Sequence, residues 1–145
     1  MKIASISTSA APAAIGPYSQ AVSAAGLLFT SGQIPLDPAT GHLVEGEFRA
    51  RTERVLANLR SVLKAGGCSF ADVVKTTVFM TDLARYAEFN DLYAHAMGEH
   101  RPARSVVQVS ALPRGTDLEV EMVALLPGGK KTWPETASPS SISGS

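Results

Sequence analysis

One cysteine, Cys68, stands among 145 residues, so neither an internal disulfide nor a thiolate cluster for zinc is available. That economy suits a reducing compartment. Charge is not in excess either: 13 Lys and Arg balance 13 Asp and Glu, for a formal net charge of zero. With no dense run of Lys or Arg, the field that draws in RNA or DNA is missing, and no nucleic-acid partner is expected. No apolar stretch approaches the length that crosses a bilayer. The start, Met1 to Thr8, lacks the apolar core of a signal peptide. The expectation is a soluble, cytoplasmic protein without a membrane partner. His42, His95 and His100 lack metal spacing. Gly26, Gly32 and Gly41 open no phosphate-cradling helix, and no catalytic triad assembles. Neither a metal nor a cofactor is expected.

What is present fits one compact domain over 1–126. After Pro127 the composition turns to Gly, Lys, Pro, Ser and Thr, which reads as a flexible tail over 127–145, with Trp133 an incidental aromatic. Residues 1–13 are a weak strand at most, then a loop. Tyr18–Ala24 and Leu27–Gln33 read as strands around an Ala25-Gly26 hairpin. From Glu47 to Ala65, Phe48, Thr52, Val55, Leu56, Leu59, Val62 and Leu63 recur at helical steps, and Gly66-Gly67 stops the helix. Val73–Met80 is a β-branched strand. Thr81-Asp82 caps a second helix from Leu83 to about Met97, with Tyr86, Phe89, Asn90, Tyr93 and Met97 on one side. Strands Arg104–Ser110 and Asp117–Leu126 follow, joined through Pro113 and Gly115. The order β-β-α-β-α-β-β, with right-handed crossovers, predicts a two-layer α+β domain with both helices on one face of the sheet. The strands stay apolar on both parities, and a second apolar sheet face calls for another subunit.

Three features could carry chemistry. Pro102-Ala103-Arg104-Ser105 puts an arginine at the mouth of an otherwise apolar strand. Its guanidinium would suit a carboxylate bidentately, or would pair with one of the protein's own acids; pattern alone leaves both open. Glu119 and Glu121 share one face of a strand. They are solvated edge charges, or one is a general base in a cleft with a raised pKa. Tyr18 is a core aromatic, or a hydroxyl donor at a subunit edge. Cys68, in a loop after Gly66-Gly67, reads as an inert thiol.

Taken in order, Ala14-Ile15-Gly16-Pro17-Tyr18-Ser19-Gln20-Ala21, Thr30-Ser31-Gly32-Gln33-Ile34-Pro35, Val73-Val74-Lys75-Thr76-Thr77-Val78-Phe79, Pro102-Ala103-Arg104-Ser105 and Leu118-Glu119-Val120-Glu121 resemble the Rid family of enamine/imine deaminases. The resemblance runs from about Ala13 to Ala124. It implies a chorismate-mutase-like fold of the bacillary type: a mixed sheet with two helices on one face, assembled as a homotrimer around a central β-barrel with clefts between subunits. It implies that Arg104 clamps the carboxylate of a 2-imino acid and Glu119 steers the attacking water. Tyr18, Ser31, Gly32 and Asn90 would line the pocket, the product being a 2-keto acid and ammonia. Some relatives carry Cys where this chain has Val106, which removes a thiol role and makes the pocket more apolar there. The rival readings are a non-catalytic binding module for 2-keto acids and a pathway-specialised deaminase. A ribonuclease or translation inhibitor fits less well, since zero net charge and no basic stripe count against it.

Overall fold

The computed structural model describes residues 2–128; the tail reading from residue 129 onward, Trp133 included, falls outside them. Strands β1 (Ala4–Ile6), β2 (Ala21–Ala24), β3 (Leu27–Thr30), β4 (Val73–Met80), β5 (Ala103–Gln108) and β6 (Leu118–Leu125) form one sheet in the order β1-β2-β3-β6-β4-β5. Helices α1 (Phe48–Ala65) and α2 (Tyr86–Met97) connect β3 to β4 and β4 to β5. Only β4 and β5 pair in parallel; the other ladders are antiparallel. β3 and β4 therefore run the same way, as the crossover rule requires, but β6 has been inserted between them.

Local chemistry explains most elements. Ala25 and Gly26 both take positive φ, 53° and 81°, the geometry of a two-residue hairpin whose twist matches its strands. Along α1 the predicted stripe is buried, with Val55, Leu59, Val62 and Leu63 fully enclosed. Thr52 is tolerated there because its hydroxyl donates to the Phe48 carbonyl at 2.9 Å. The helix ends hard against β3: a Cβ on Gly66 would lie 2.1 Å from Leu28 Cδ1. The second helix starts later than the pattern suggested. Leu83–Arg85 is a 3₁₀ turn, with Asp82 accepting from the Ala84 N–H at 2.9 Å, and α2 proper begins at Tyr86.

The strand expected over Arg104–Ser110 spans Ala103–Gln108 and that over Asp117–Leu126 spans Leu118–Leu125; two larger cuts fall beside the candidate site. The first strand begins at Ala21, not Tyr18, because the Tyr18 N–H turns back to the Gly16 carbonyl at 2.8 Å. The second leaves its regular ladder after Thr30 rather than continuing to Gln33. Phe29 opposes Val123, yet Gln33 opposes Val120, one step out of register. A bulge at Ser31-Gly32 absorbs that extra residue.

The helices cover one face of the sheet, where Leu28, Thr76, Val78, Met80, Leu118, Val120 and Met122 are buried. By the strand period, Phe29, Lys75, Thr77, Phe79, Val107, Glu119, Glu121 and Val123 point the other way. Among the described residues no helix covers that second face, and Phe29 and Val107 stay 40% and 41% exposed.

Candidate functional site

Arg104 lies on the sheet-edge strand β5, opposite Thr76, and projects to the helix side. Its guanidinium packs over the Tyr93 ring, 4.9 Å from the centroid, and over Tyr86 at 5.7 Å. One nitrogen, Nη2, donates to Asn90 Oδ1 at 2.7 Å and to the Tyr86 hydroxyl at 3.2 Å. These partners are neutral. Among the described residues no carboxylate pairs with Arg104, which disposes of the internal salt bridge that the pattern had left open. Nη2 spends both its hydrogens on these groups, while Nε and Nη1 donate to no protein acceptor among the described residues and can each bond an anion.

The same cluster explains Asn90, a polar residue on an apolar helix stripe: it orients the arginine. Tyr86 and Tyr93, read from the sequence only as stripe residues, complete the brace. Tyr93 is fixed in turn by donating to Thr76 Oγ1 at 2.9 Å, and burial pushes its phenol up. The Tyr86 hydroxyl is held below the usual phenol range, first by its hydrogen bond with Asn90 and then by the Arg104 charge. Val106, two residues beyond Arg104 on the same face, is partly buried against the core.

Glu119 belongs to a different place. β6 is interior to the sheet, flanked by β3 and β4, so Glu119 and Glu121 are not edge charges. Burial, and then the neighbouring Glu121 charge, push the Glu119 carboxyl above the usual carboxylate range. The bulge brings Gly32 directly onto it: a Cβ at Gly32 would stand 2.7 Å from Glu119 Cδ. The backbone N–H groups on either side of Gly32 are committed, Ser31 to the Gln20 carbonyl and Gln33 to Val120. Ser31 Oγ donates to the Ser19 carbonyl at 2.6 Å.

Tyr18, Ser31, Gly32 and Glu119 share a cavity of about 430 Å³, walled by Pro12, Ile15, Ile34, Leu36 and the turn Pro113-Arg114. Two buried amides hold those walls. Gln20 accepts from the Thr8 N–H at 2.6 Å and donates to the Pro12 carbonyl at 2.7 Å, which pins segment 8–12 behind Tyr18. Asn58, on the buried stripe of α1, donates to the carbonyls of Ile34 and Leu36 at 3.3 and 3.0 Å. Sequence reading missed both as positioning groups. The available signal was a carboxamide at a core position, where it must find partners.

Of the sequence candidates, then, the protomer brings together Tyr18, Ser31, Gly32 and Glu119 at one place, and Arg104, Asn90 and Val106 at another. Arg104 aligns through Thr76 with Met122, three residues from Glu119. Two strand spacings and three residue rises separate the two backbones by about 14 Å, and the side chains leave opposite faces of the sheet. Among the described residues no cluster of His, Cys, Asp or Glu could hold a metal, and no helix is long and apolar enough to cross a membrane. Cys68 is buried.

Comparison with known proteins shows what the chain as a whole is similar to. The family model described as Endoribonuclease L-PSP matches residues 8–126. A RutC family protein of Pyrococcus horikoshii is 46% identical over 82% of this chain and 94% of its own. The human 2-iminobutanoate/2-iminopropanoate deaminase is 45% identical over 83% of this chain and 88% of its own. Among solved structures, a putative endoribonuclease of Thermotoga maritima superposes with a TM-score of 0.83 at 51% identity, covering 86% of this chain and 98% of that one. A family match over residues 8–126 and relatives this similar over four-fifths of the chain lead to one conclusion: the chain belongs to the Rid (YjgF/RidA) family.

Proposed function

We propose that this chain hydrolyses 2-imino acids to 2-keto acids and ammonia, at a site completed between subunits of a homotrimer. The observation that carries the reading is Arg104: a guanidinium held through one nitrogen by neutral groups, with no carboxylate among the described residues of its own chain to neutralise it. Relatives named 2-iminobutanoate/2-iminopropanoate deaminase support the substrate class. Arg104 and Glu119 lie on opposite sheet faces, so a substrate that touches both must sit at a boundary where one protomer offers Arg104 and its neighbour offers the Glu119 cavity. The uncovered sheet face, with Phe29 and Val107 exposed, would supply the surface for that assembly.

In this reading a protonated imine is electrophile enough to need no metal or covalent nucleophile. Arg104 fixes the carboxylate through charged hydrogen bonds worth about 1.5–3 kcal/mol each. Glu119, whose proton affinity is raised by burial, takes a proton from water as its oxygen attacks the imine carbon and the C=N pair moves to nitrogen. The proton then passes to the amine of the carbinolamine. The C–N bond breaks as the hydroxyl gives its proton to the freed Glu119 carboxylate, releasing the keto acid and ammonia, which takes up that proton on leaving. Tyr18 and the Gly32 N–H would face the substrate from the cavity wall.

The test is ammonia release from an oxidase-generated imino acid with semicarbazide competing, beside an RNA-degradation control. Arg104→Ala should abolish the acceleration while the oligomer persists, and Glu119→Gln should bind 2-keto acid yet turn over slowly. An Arg104→Ala variant as fast as wild type would make the arginine structural and end the proposal.

A further inference from the structure

The rim of the Glu119 cavity carries a cation, Arg114, that hydrolysis of a simple 2-imino acid does not use. Arg114 lines it together with Pro113, Ile34 and Leu36. Arg114 takes φ 59°, ψ 20° inside its turn, a left-handed conformation that residues bearing a side chain seldom adopt. Only one other non-glycine residue, Ala25, does so among the described residues, and the two-residue hairpin demands it there. At Arg114 no hairpin is closed, and glycine, the easier occupant, comes one position later at Gly115. Strain retained where a glycine would relieve it points to the side chain as the reason.

That side chain is tethered but not neutralised. Nη1 donates to the Gly41 carbonyl at 2.9 Å, and no carboxylate lies within ion-pair distance among the described residues. Nη2 and Nε keep their donors. Arg114 and Glu119 line the same cavity and make no ion pair with each other. Apolar Ile34, Leu36 and Pro113 line that cavity too, a surface suited to methylene groups.

Resting on the deaminase reading above, we propose that Arg114 is a specificity-determining residue, which recognises a second carboxylate at the far end of the side chain of a dicarboxylic 2-imino acid. The 1-carboxylate would meet the neighbour's Arg104, the imine carbon would lie beside Glu119, and the terminal acid would reach the open edge of Arg114.

Two measurements test this. The first is calorimetric binding of the stable products 2-oxobutanoate and 2-oxoglutarate. The second is kcat/KM for the imines that oxidases make from leucine and glutamate, on wild type, Arg114→Gln and Arg114→Lys. The dicarboxylate-to-monocarboxylate ratio should fall at least fivefold in Arg114→Gln by both readouts, the size of a partly exposed charged contact (~1 kcal/mol). Arg114→Lys should restore part of it. A latch that merely holds Gly41 would depress both ligands together and leave the ratio unmoved, which overturns the inference alone. Wild-type protein that neither binds these acids nor accelerates either imine would overturn the deaminase reading with it.

Discussion

Replacing Gly32 by alanine isolates the contact on which the proposed chemistry turns. The added Cβ would lie 2.7 Å from Glu119 Cδ, 2.9 Å from Cγ and 3.0 Å from Oε1, where ordinary contact begins near 3.4 Å. Gly32 is not in the left-handed region, so the backbone accepts alanine, and the three nearest atoms it would meet all belong to the acid. The carboxyl must retreat by about 0.7 Å, and misplacement on the scale of 1 Å can cost roughly a hundredfold in rate. We expect kcat to fall by about ten- to a hundredfold. Overpacking should cost about 1–2 kcal/mol, toward the lower end because a side-chain terminus has to move. Ammonia release under semicarbazide competition reads the rate, and urea unfolding reads the stability. A double-mutant cycle settles the route: in a Glu119→Gln background the alanine should cost almost nothing further in rate. Full turnover in Gly32→Ala, or an undiminished loss in the double variant, would refute the claim that Gly32 acts by seating Glu119.

Other outcomes follow from the same geometry. The folded state raises the Glu119 pKa, so folded protein holds that proton more tightly than unfolded chain. Stability therefore declines as pH rises from the ordinary carboxylate range through the folded value, and stays lower above it. Glu119→Gln should thus unfold at higher denaturant than wild type at neutral pH, with the advantage vanishing in acid; a pH-independent difference would contradict the burial argument. Gln20→Ala strands the Thr8 N–H and the Pro12 carbonyl and should cost about 2 kcal/mol. Hydrogen exchange should quicken over residues 8–12 first, and unchanged exchange there would dismiss Gln20 as the pin of the cavity wall. Asp117 accepts from Arg51 Nε and Nη2 at 3.0 and 2.6 Å at the base of β6. As a partly exposed bidentate pair it should contribute about 1 kcal/mol, so Asp117→Asn should shift the urea midpoint slightly and by less in high salt.

Much of the fold could be read along the chain because it depends on neighbours in sequence. The α1 stripe, the Gly66-Gly67 stop, the Ala25-Gly26 hairpin and all eight residues of β4 follow from period and turn chemistry acting within a few positions. Arg104 and Glu119 stood out as candidates from strand pattern, while their roles and the choice of Asn90 and Gly32 came from motif resemblance. The structure adds physical grounds for it: Asn90 bonded to the guanidinium, and Gly32 pressed against the acid.

What tertiary structure alone decided is where strands from distant parts of the chain lie beside one another. Placing β6 between β3 and β4 makes Glu119 interior and raises its proton affinity, whereas an edge position would have left it solvated. The one-residue slip between Phe29 opposite Val123 and Gln33 opposite Val120 creates the bulge; Gly32 permits it locally, but its place is set by pairing with β6. Strand parity then sends Arg104 and Glu119 through opposite faces of the sheet. Side chains alternate every residue, but which face is covered depends on where the helices pack, so only the folded sheet could reveal that the two halves of the candidate site leave a single protomer in different directions.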